Sequence, residues 1–219
     1  MVAKTSLSPA LAANILALER TTEAIRVTQR RLSTGLRVGS AAEDSAAFFQ
    51  AQALTTRSTQ LLIVKDGIQS AVSSVETAVA GISGIQAIME QMRGLAFSAQ
   101  ADADTSNRSR AAVQFNDLMT QVDNLANDTS FAGTNLIKGS PGNLSVTFSE
   151  DGSSSLTVSG IASDSSGLSV VVAAGNWSTD ANINLAINDL DSALSTLRST
   201  ANTLGTRASM ISIRLDFVT

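Results

Sequence analysis

Residues 183–215 read INLAINDLDSALSTLRSTANTLGTRASMISIRL. Within them Ile183, Ile187, Leu190, Leu194, Leu197, Ala201, Leu204, Ala208, Ile211 and Leu215 recur at spacings that alternate between four and three. The mean repeat is about 3.5 residues, which lines the apolar side chains up as one narrow seam along a helix. That is the pattern of a coiled coil and not of a helix laid on a broad core. Thr179 or Asp180 supplies the start signal, a short polar side chain able to accept from the first free amides.

The same rhythm runs upstream. Leu61, Val64, Ile68, Val72, Val75, Val79, Ile82, Ile85, Met89, Met92, Ala96 and Ala99 keep three- and four-residue spacing. They predict a helix from about Asp44 to Ala103, about 90 Å long if unbroken. Gly67, Gly81, Gly84 and Gly94 fall inside it, each unfavourable by about 1 kcal/mol relative to Ala. They either break the helix or let another element approach closely, and the pattern leaves both readings open. A shorter helix is expected from about Asn107 to Asp128, with Ala111, Phe115, Leu118, Val122 and Leu125 as its seam. Near the amino end Leu11, Ile15, Leu18, Ile25, Leu32 and Leu36 are in register, but Thr22 and Gln29 interrupt the stripe and make this helix the weakest partner. The apolar run 10–18 behind Lys4 has the look of a short signal-peptide core. Ser8-Pro9 opens it as a helix start, and its spacing continues past Glu19 and Arg20, so it reads as a helix that is kept. No run reaches the roughly 20 apolar residues of a membrane span.

Between Phe131 and Trp177 the periodicity changes. Leu144, Val146 and Phe148 alternate with polar residues, Glu150-Asp151-Gly152-Ser153 makes a turn, and Leu156 and Val158 resume the alternation, which reads as a hairpin. Leu168, Val170 and Val172 predict a further strand. Trp177 is expected to anchor the chain where it re-enters the bundle. The fold class is therefore mainly α: an elongated antiparallel helical bundle or coiled coil with a small β-rich insertion at one end. Four segments follow: an N-terminal helix at 1–43, the first part of a central rod at 44–137, a β-rich insertion at 138–178 and the return helix of the rod at 179–219.

Composition narrows the function. Hydrophobic residues make up 43% of the chain and aromatics only 4%, so Ala, Leu, Ile and Val must form any core, which suits slender helix packing. With no His and no Cys, the commonest general base and metal ligand and every thiolate are missing. Glu43-Asp44 is an acidic pair, but adjacent helical residues face apart and no third group supports acid–base chemistry. No metal, cofactor or catalytic site is expected. The net charge of −4 names no partner, although no Lys or Arg occurs from Gly139 to Leu197. The arginines near the amino end read as a solvated helix face; no aromatic residues interleave to stack on nucleic-acid bases. Seams at both ends of the chain need a partner, and copies meeting head-to-tail build an open filament.

Residues 31–37, Arg31-Leu-Ser-Thr-Gly-Leu-Arg37, resemble the Arg-Leu-Ser-Ser-Gly-Leu-Arg signature of bacterial flagellins. Ser40-Ala-Ala-Glu-Asp-Ser-Ala46, Lys65-Asp-Gly-Ile68, Met92-Arg-Gly-Leu-Ala-Phe97, Phe131-Ala-Gly-Thr-Asn-Leu-Ile137 and Ile213-Arg-Leu-Asp-Phe217 are similar to further family stretches, in family order. The resemblance implies a secreted structural subunit, exported without signal-peptide cleavage by the flagellar type III apparatus. It also implies self-assembly into the motility filament, with an export chaperone and a filament cap as partners. It implies subunit-packing roles for Arg31, Leu32, Gly35, Leu36 and Arg37. In the family a central-helix surface is seen by a Toll-like receptor; the matching positions are Gln91, Arg93 and Leu95. Gln91 stands where the family usually has arginine, and Gly94 where it usually has an acidic residue, so weak or absent receptor activation is expected. Flagellins usually continue with one more helix past the position of Thr219, and a shortened chain is the expected reason for the stop. They are also often O-glycosylated, with Ser153 to Ser155 or Ser163 to Ser166 as acceptors. A hook–filament junction protein and a flagellin-like surface adhesin are the alternatives. A chemoreceptor coiled coil fits less well, given the hairpin.

Overall fold

The computed structural model describes residues 8–218, so Lys4 lies outside the described residues. The chain divides between Thr59 and Gln60 into two compact units.

In the first unit, helix α1 spans Pro9–Thr34. Ser8 caps it: its carbonyl accepts from Leu11 N at 2.9 Å, its hydroxyl lies 3.4 Å from the same nitrogen, and Pro9 sits where a missing N–H costs nothing. The helix stops at Gly35, whose φ of +69° is open to glycine at no steric cost and whose N–H reaches Arg31 O at 2.8 Å. Glu43 then accepts from Gly39 N at 3.0 Å and pairs with Arg30 at 2.8 Å, while Asp44 accepts from Ala47 N at 3.0 Å. The acidic pair thus ties the turn to α1 and caps α2, which spans Ser45–Ala101 and contributes its first turns to this unit. No described residue of the first unit is buried.

The second unit holds the rest of α2, then α3 (Thr105–Asp128), the strands β1 (Asn143–Thr147) and β2 (Ser155–Ser159), and α4 (Asp180–Val218). Helix α2 is unbroken, so the two readings of its glycines resolve by position. A Cβ on Gly81 would lie 2.6 Å from Thr129 and 2.9 Å from Ile137, and one on Gly84 2.9 Å from Leu125; Gly67 and Gly94 have open space. Only the first two serve close approach. The short turn after Ala101 sends α3 back along α2. Gln100 donates to Asn184 at 2.6 Å, and Arg93 meets Asp191 and Glu90 meets Arg198 further down, so α4 also runs antiparallel to α2.

The core is one continuous cluster of buried apolar residues. On α4 the seam residues Ile183, Ile187, Leu190, Leu194, Leu197, Leu204 and Ile211 are all buried. On α2 the inner line departs from the sequence reading at two places: Ala71 and Ala78 are buried, and Val72 and Val79 sit partly buried beside them. The small residue faces the neighbouring element and the branched one seals the edge. Helix α2 is long and apolar enough, by length and composition only, to cross a membrane, although it contains no uninterrupted run of apolar residues of that length, and 39% of that stretch is buried inside the fold.

Helix α3 ends at Asp128, level with Gly81, whereas the buried line of α2 continues to Ile68. The β segment supplies the missing layer. Strands β1 and β2 pair antiparallel with Val146 opposite Leu156 and Leu144 opposite Val158; Val146 and Val158 join the core. Arg214 of α4 lies over the Phe148 ring at 5.5 Å. The insertion therefore packs along the flank of the bundle instead of capping its end. Past the hairpin the chain climbs α3 again: Ser165 N and Oγ donate to Asp123 at 2.8 and 3.0 Å, and Ala173 N donates to Asn116 at 2.9 Å. The strand expected at Leu168, Val170 and Val172 does not form. Leu168 N and Val170 N fold back onto Asp164 O and Ser165 O, and Ser169 is left-handed at φ +57°, so the segment is a string of turns. Trp177 is fully buried with its ring edge-on to Phe115 at 5.0 Å, as the anchor reading expected. Its φ of +57° is unfavourable for a bulky residue by about 1–2 kcal/mol.

Candidate assembly surface

Helix α1 exposes what its sequence pattern would have it bury. Leu11, Ile15, Leu18, Ile25 and Leu32 are all open to solvent, Leu32 at 85%. Thr21, Ala24, Ile25, Thr28, Gln29 and Leu32 line a shallow groove of about 280 Å³. Thr22, one of the two polar interruptions, turns its hydroxyl onto Leu18 O at 2.8 Å, leaving its methyl group to the surface. Glu23 and Arg26 pair at 2.8 Å, and that hydrogen bond holds the Glu23 carboxyl below its ordinary value. Arg31, Leu32, Gly35, Leu36 and Arg37 form the end of α1 and the turn after it, and all are exposed. Gly35 sets the turn; Leu32 and Leu36 carry apolar area on either side of it.

In the second unit the α4 seam is already covered, so it is not a free surface. The opposite face of α4 is free: Met210, Ile213 and Phe217 are exposed, Phe217 at 86%, beside a groove along Ala201, Gly205, Thr206 and Ser209. On α2, Gln91 is exposed and Leu95 half-buried; both line a groove of about 570 Å³ with Gln114, Asp117, Leu118 and Gln121 of α3. Arg93 points the other way. Its Nε lies 2.8 Å from Asp191 Oδ1, an electrostatic approach off the N–H axis that leaves Nε without a hydrogen-bond partner. Glu90 is 3.4 Å away and the Phe97 ring lies under the guanidinium at 5.4 Å. The three positions Gln91, Arg93 and Leu95 thus do not share one free face.

Several residues that organise this unit escape sequence reading. Asn135 is buried; its amide donates to Ala126 O and Asn127 O at 2.8 and 3.0 Å, and its oxygen accepts from Ile137 N and Lys138 N at 2.9 Å each. Arg108, with 12% of its side chain exposed, donates to Asp102 O and Gln100 O and pairs with Asp180 at 2.7 Å, joining α3 to the start of α4. An Asn after a turn and an Arg on a helix are too common to single out without coordinates. Of the two serine windows, Ser153 and Ser155 are exposed, whereas Ser163 and Ser165 are buried and Ser165 is bound to Asp123. Among the described residues no group of three His, Cys, Asp or Glu side chains is placed to hold a metal ion.

These features define a class: a helical subunit whose own core is closed in one unit while apolar stripes stay uncovered in the other. Residues 7–141 match the family model of the bacterial flagellin N-terminal helical region, more than half of the chain. The chain is 28% identical over 203 residues to flagellin FljO of Caulobacter vibrioides, spanning 92% of this chain and 73% of that protein. It is 34% identical over 131 residues to a flagellin of Aquifex aeolicus, spanning 59% of this chain and 25% of that protein. The crystal structure of Bacillus cereus flagellin superposes with a TM-score of 0.61 at 23% identity, covering 71% of this chain and 89% of that one, a likeness of fold. The chain belongs to the bacterial flagellin family, whose members are secreted structural subunits of the flagellar filament.

Proposed function

We propose that the exposed stripe of α1 and the turn Arg31, Leu32, Gly35, Leu36 and Arg37 are where one copy of this filament subunit seats against the next. One observation carries this reading: no described residue of the first unit is buried, although its helix bears a repeating line of Leu and Ile. Each large apolar side chain removed from water contributes about 1.5–3 kcal/mol, so several together overcome the entropy of joining a growing end. The ion pairs Glu23–Arg26 and Arg30–Glu43 keep the polar side of the helix and its turn ordered without covering the stripe.

The chain works by assembly and performs no catalysis. Its export passes through the flagellar type III apparatus with a dedicated chaperone, and it adds beneath a filament cap. The segments 1–43, 44–137, 138–178 and 179–219 correspond in this reading to filament-core helix, rod, solvent-facing insertion and returning rod. Activation of a Toll-like receptor is weak, because Arg93 is engaged by Asp191 and Glu90 and Gln91 cannot replace a guanidinium.

Seeded elongation tests the assembly reading. Leu18→Ser/Leu32→Ser in the complete protein should fold with unchanged circular dichroism and fail to extend filament seeds in electron micrographs. Growth at the unaltered rate would remove the stripe from the interface. Full potency in a receptor reporter-cell assay would refute the reading of Arg93 separately.

A further inference from the structure

Ahead of α4 the backbone makes a turn of the wrong hand. Gly175 (φ +53°, ψ +29°), Asn176 (φ +49°, ψ +32°) and Trp177 (φ +57°) are consecutive left-handed residues. Glycine enters this region freely and asparagine with little penalty, but a side chain as bulky as Trp crowds its own backbone there. A Cβ on Gly175 would lie 2.8 Å from Asn182 Nδ2, the tip of a side chain that would have to move. Trp177 bears a second cost: its indole Nε1 is buried and has no hydrogen-bond partner. Both costs exist only while the ring is seated against Phe115. Once the ring leaves, the backbone relaxes and the N–H reaches water.

Besides the ring, the segment is held by the buried side chains of Leu168, Val170 and Ala173 and by few hydrogen bonds. From Ser163 to Trp177, side-chain hydrogen bonds to α3 come from Asp123 at one end and Asn116 at the other. Residues 168–173 have no strand partner, and Val171 and Val172 face solvent. We propose that Gly175–Trp177 is a strained latch: seating Trp177 on Phe115 closes residues 163–179 onto α3, and this segment opens as a unit before the helices and the hairpin separate. The device gives the fold a defined first step of opening, at the junction where the insertion rejoins the bundle. It stands independently of how copies assemble.

Trp177 is the sole tryptophan, so its fluorescence reports the latch directly in the full chain. Urea titration followed by indole emission and by far-ultraviolet circular dichroism should give two midpoints, the indole at lower urea. The amides of Ser165 and Ala173 should exchange with solvent roughly tenfold or more faster than buried α2 amides. Phe115→Leu should lower the indole midpoint and leave the helical one nearly in place. Trp177→Phe keeps an aromatic ring without the unpaired N–H and should slow the same two amides. Coincident transitions in the unaltered chain would overturn the latch. Unchanged or faster exchange in Trp177→Phe would overturn the cost assigned to the seated indole.

Discussion

Thr129 occupies the space that a side chain on Gly81 would need: a Cβ there would lie 2.6 Å from both Cγ2 and Oγ1 of the threonine. Thr129 cannot swing aside cheaply, because it is β-branched and its hydroxyl donates to Leu125 O at 2.7 Å. Gly84 faces a softer neighbour, the tip of Leu125. Gly81→Ala should therefore cost about 2 kcal/mol or more through overpacking, and Gly84→Ala less. Gly67→Ala and Gly94→Ala should stabilise by about 0.5–1 kcal/mol, since both lie within a helix with open space around them. Thermal unfolding of the four variants checks the order, and equal losses at all four would contradict it.

Asn135 holds two donors and two acceptor contacts in one buried amide, clasping the last carbonyls of α3 to the loop that follows. Asn135→Asp keeps the oxygen that accepts from Ile137 N and Lys138 N but turns the donor side into a second acceptor facing two carbonyls. The loss should be about 2–3 kcal/mol near neutral pH, from unpaired and mutually repelling buried groups. Protonating the new carboxyl restores one donor, so the deficit relative to the unaltered chain should shrink as the pH is lowered. Melting curves of both proteins across that range decide it.

Arg108→Lys should destabilise by about 1–2 kcal/mol, because a single ammonium cannot reach Asp102 O, Gln100 O and Asp180 together as the guanidinium does. Asp180 is largely exposed, so Asp180→Asn should cost well under that. A denaturant midpoint lower for Asp180→Asn than for Arg108→Lys would assign the energy to the ion pair instead of the carbonyl contacts.

Acid should be the sensitive direction. The Asp151 carboxyl is held down to about 2 by the Ser149 and Ser153 hydroxyls and the Ser153 amide. Asp102 is lowered by the Asp104 amide and the Asn107 side chain. A folded-state value below the unfolded one gives stability that is complete above the ordinary carboxylate range and is lost as pH falls through it. With no His in the chain, melting temperature should be nearly level between about pH 5 and 8 and fall below about pH 4. Asp151→Asn should flatten the acid limb. A step near pH 6.5 would show that some other group titrates.

The helices and the hairpin were readable because their signals are repeats, and a repeat survives any one ambiguous residue. Ile183 to Leu215 and Leu144 to Val158 are such cases: the first repeat lies in one long helix and the second in two paired strands. Leu168, Val170 and Val172 have a strand's alternation, yet a strand also needs a neighbour. The turns at Asp164–Val170 and the anchor at Trp177 hold this piece along a helix instead. Gly81 and Gly67 look alike in sequence; only what lies opposite separates them. The α1 stripe was legible as apolar, but that nothing in its own unit covers it is a fact of three dimensions.

The pairing of β1 with β2 has a practical consequence. Asn143, Ser145 and Thr147 stand opposite Ser159, Thr157 and Ser155, so the outward face carries only hydroxyls and one amide, without charge. The bend between the strands, with Gly152 at φ +74°, is therefore a natural splice point for a foreign peptide. Neighbouring strands lie about 4.8 Å apart. A guest whose own ends lie that near each other can be carried there without unzipping its host, whereas one with distant ends will pull the two strands apart.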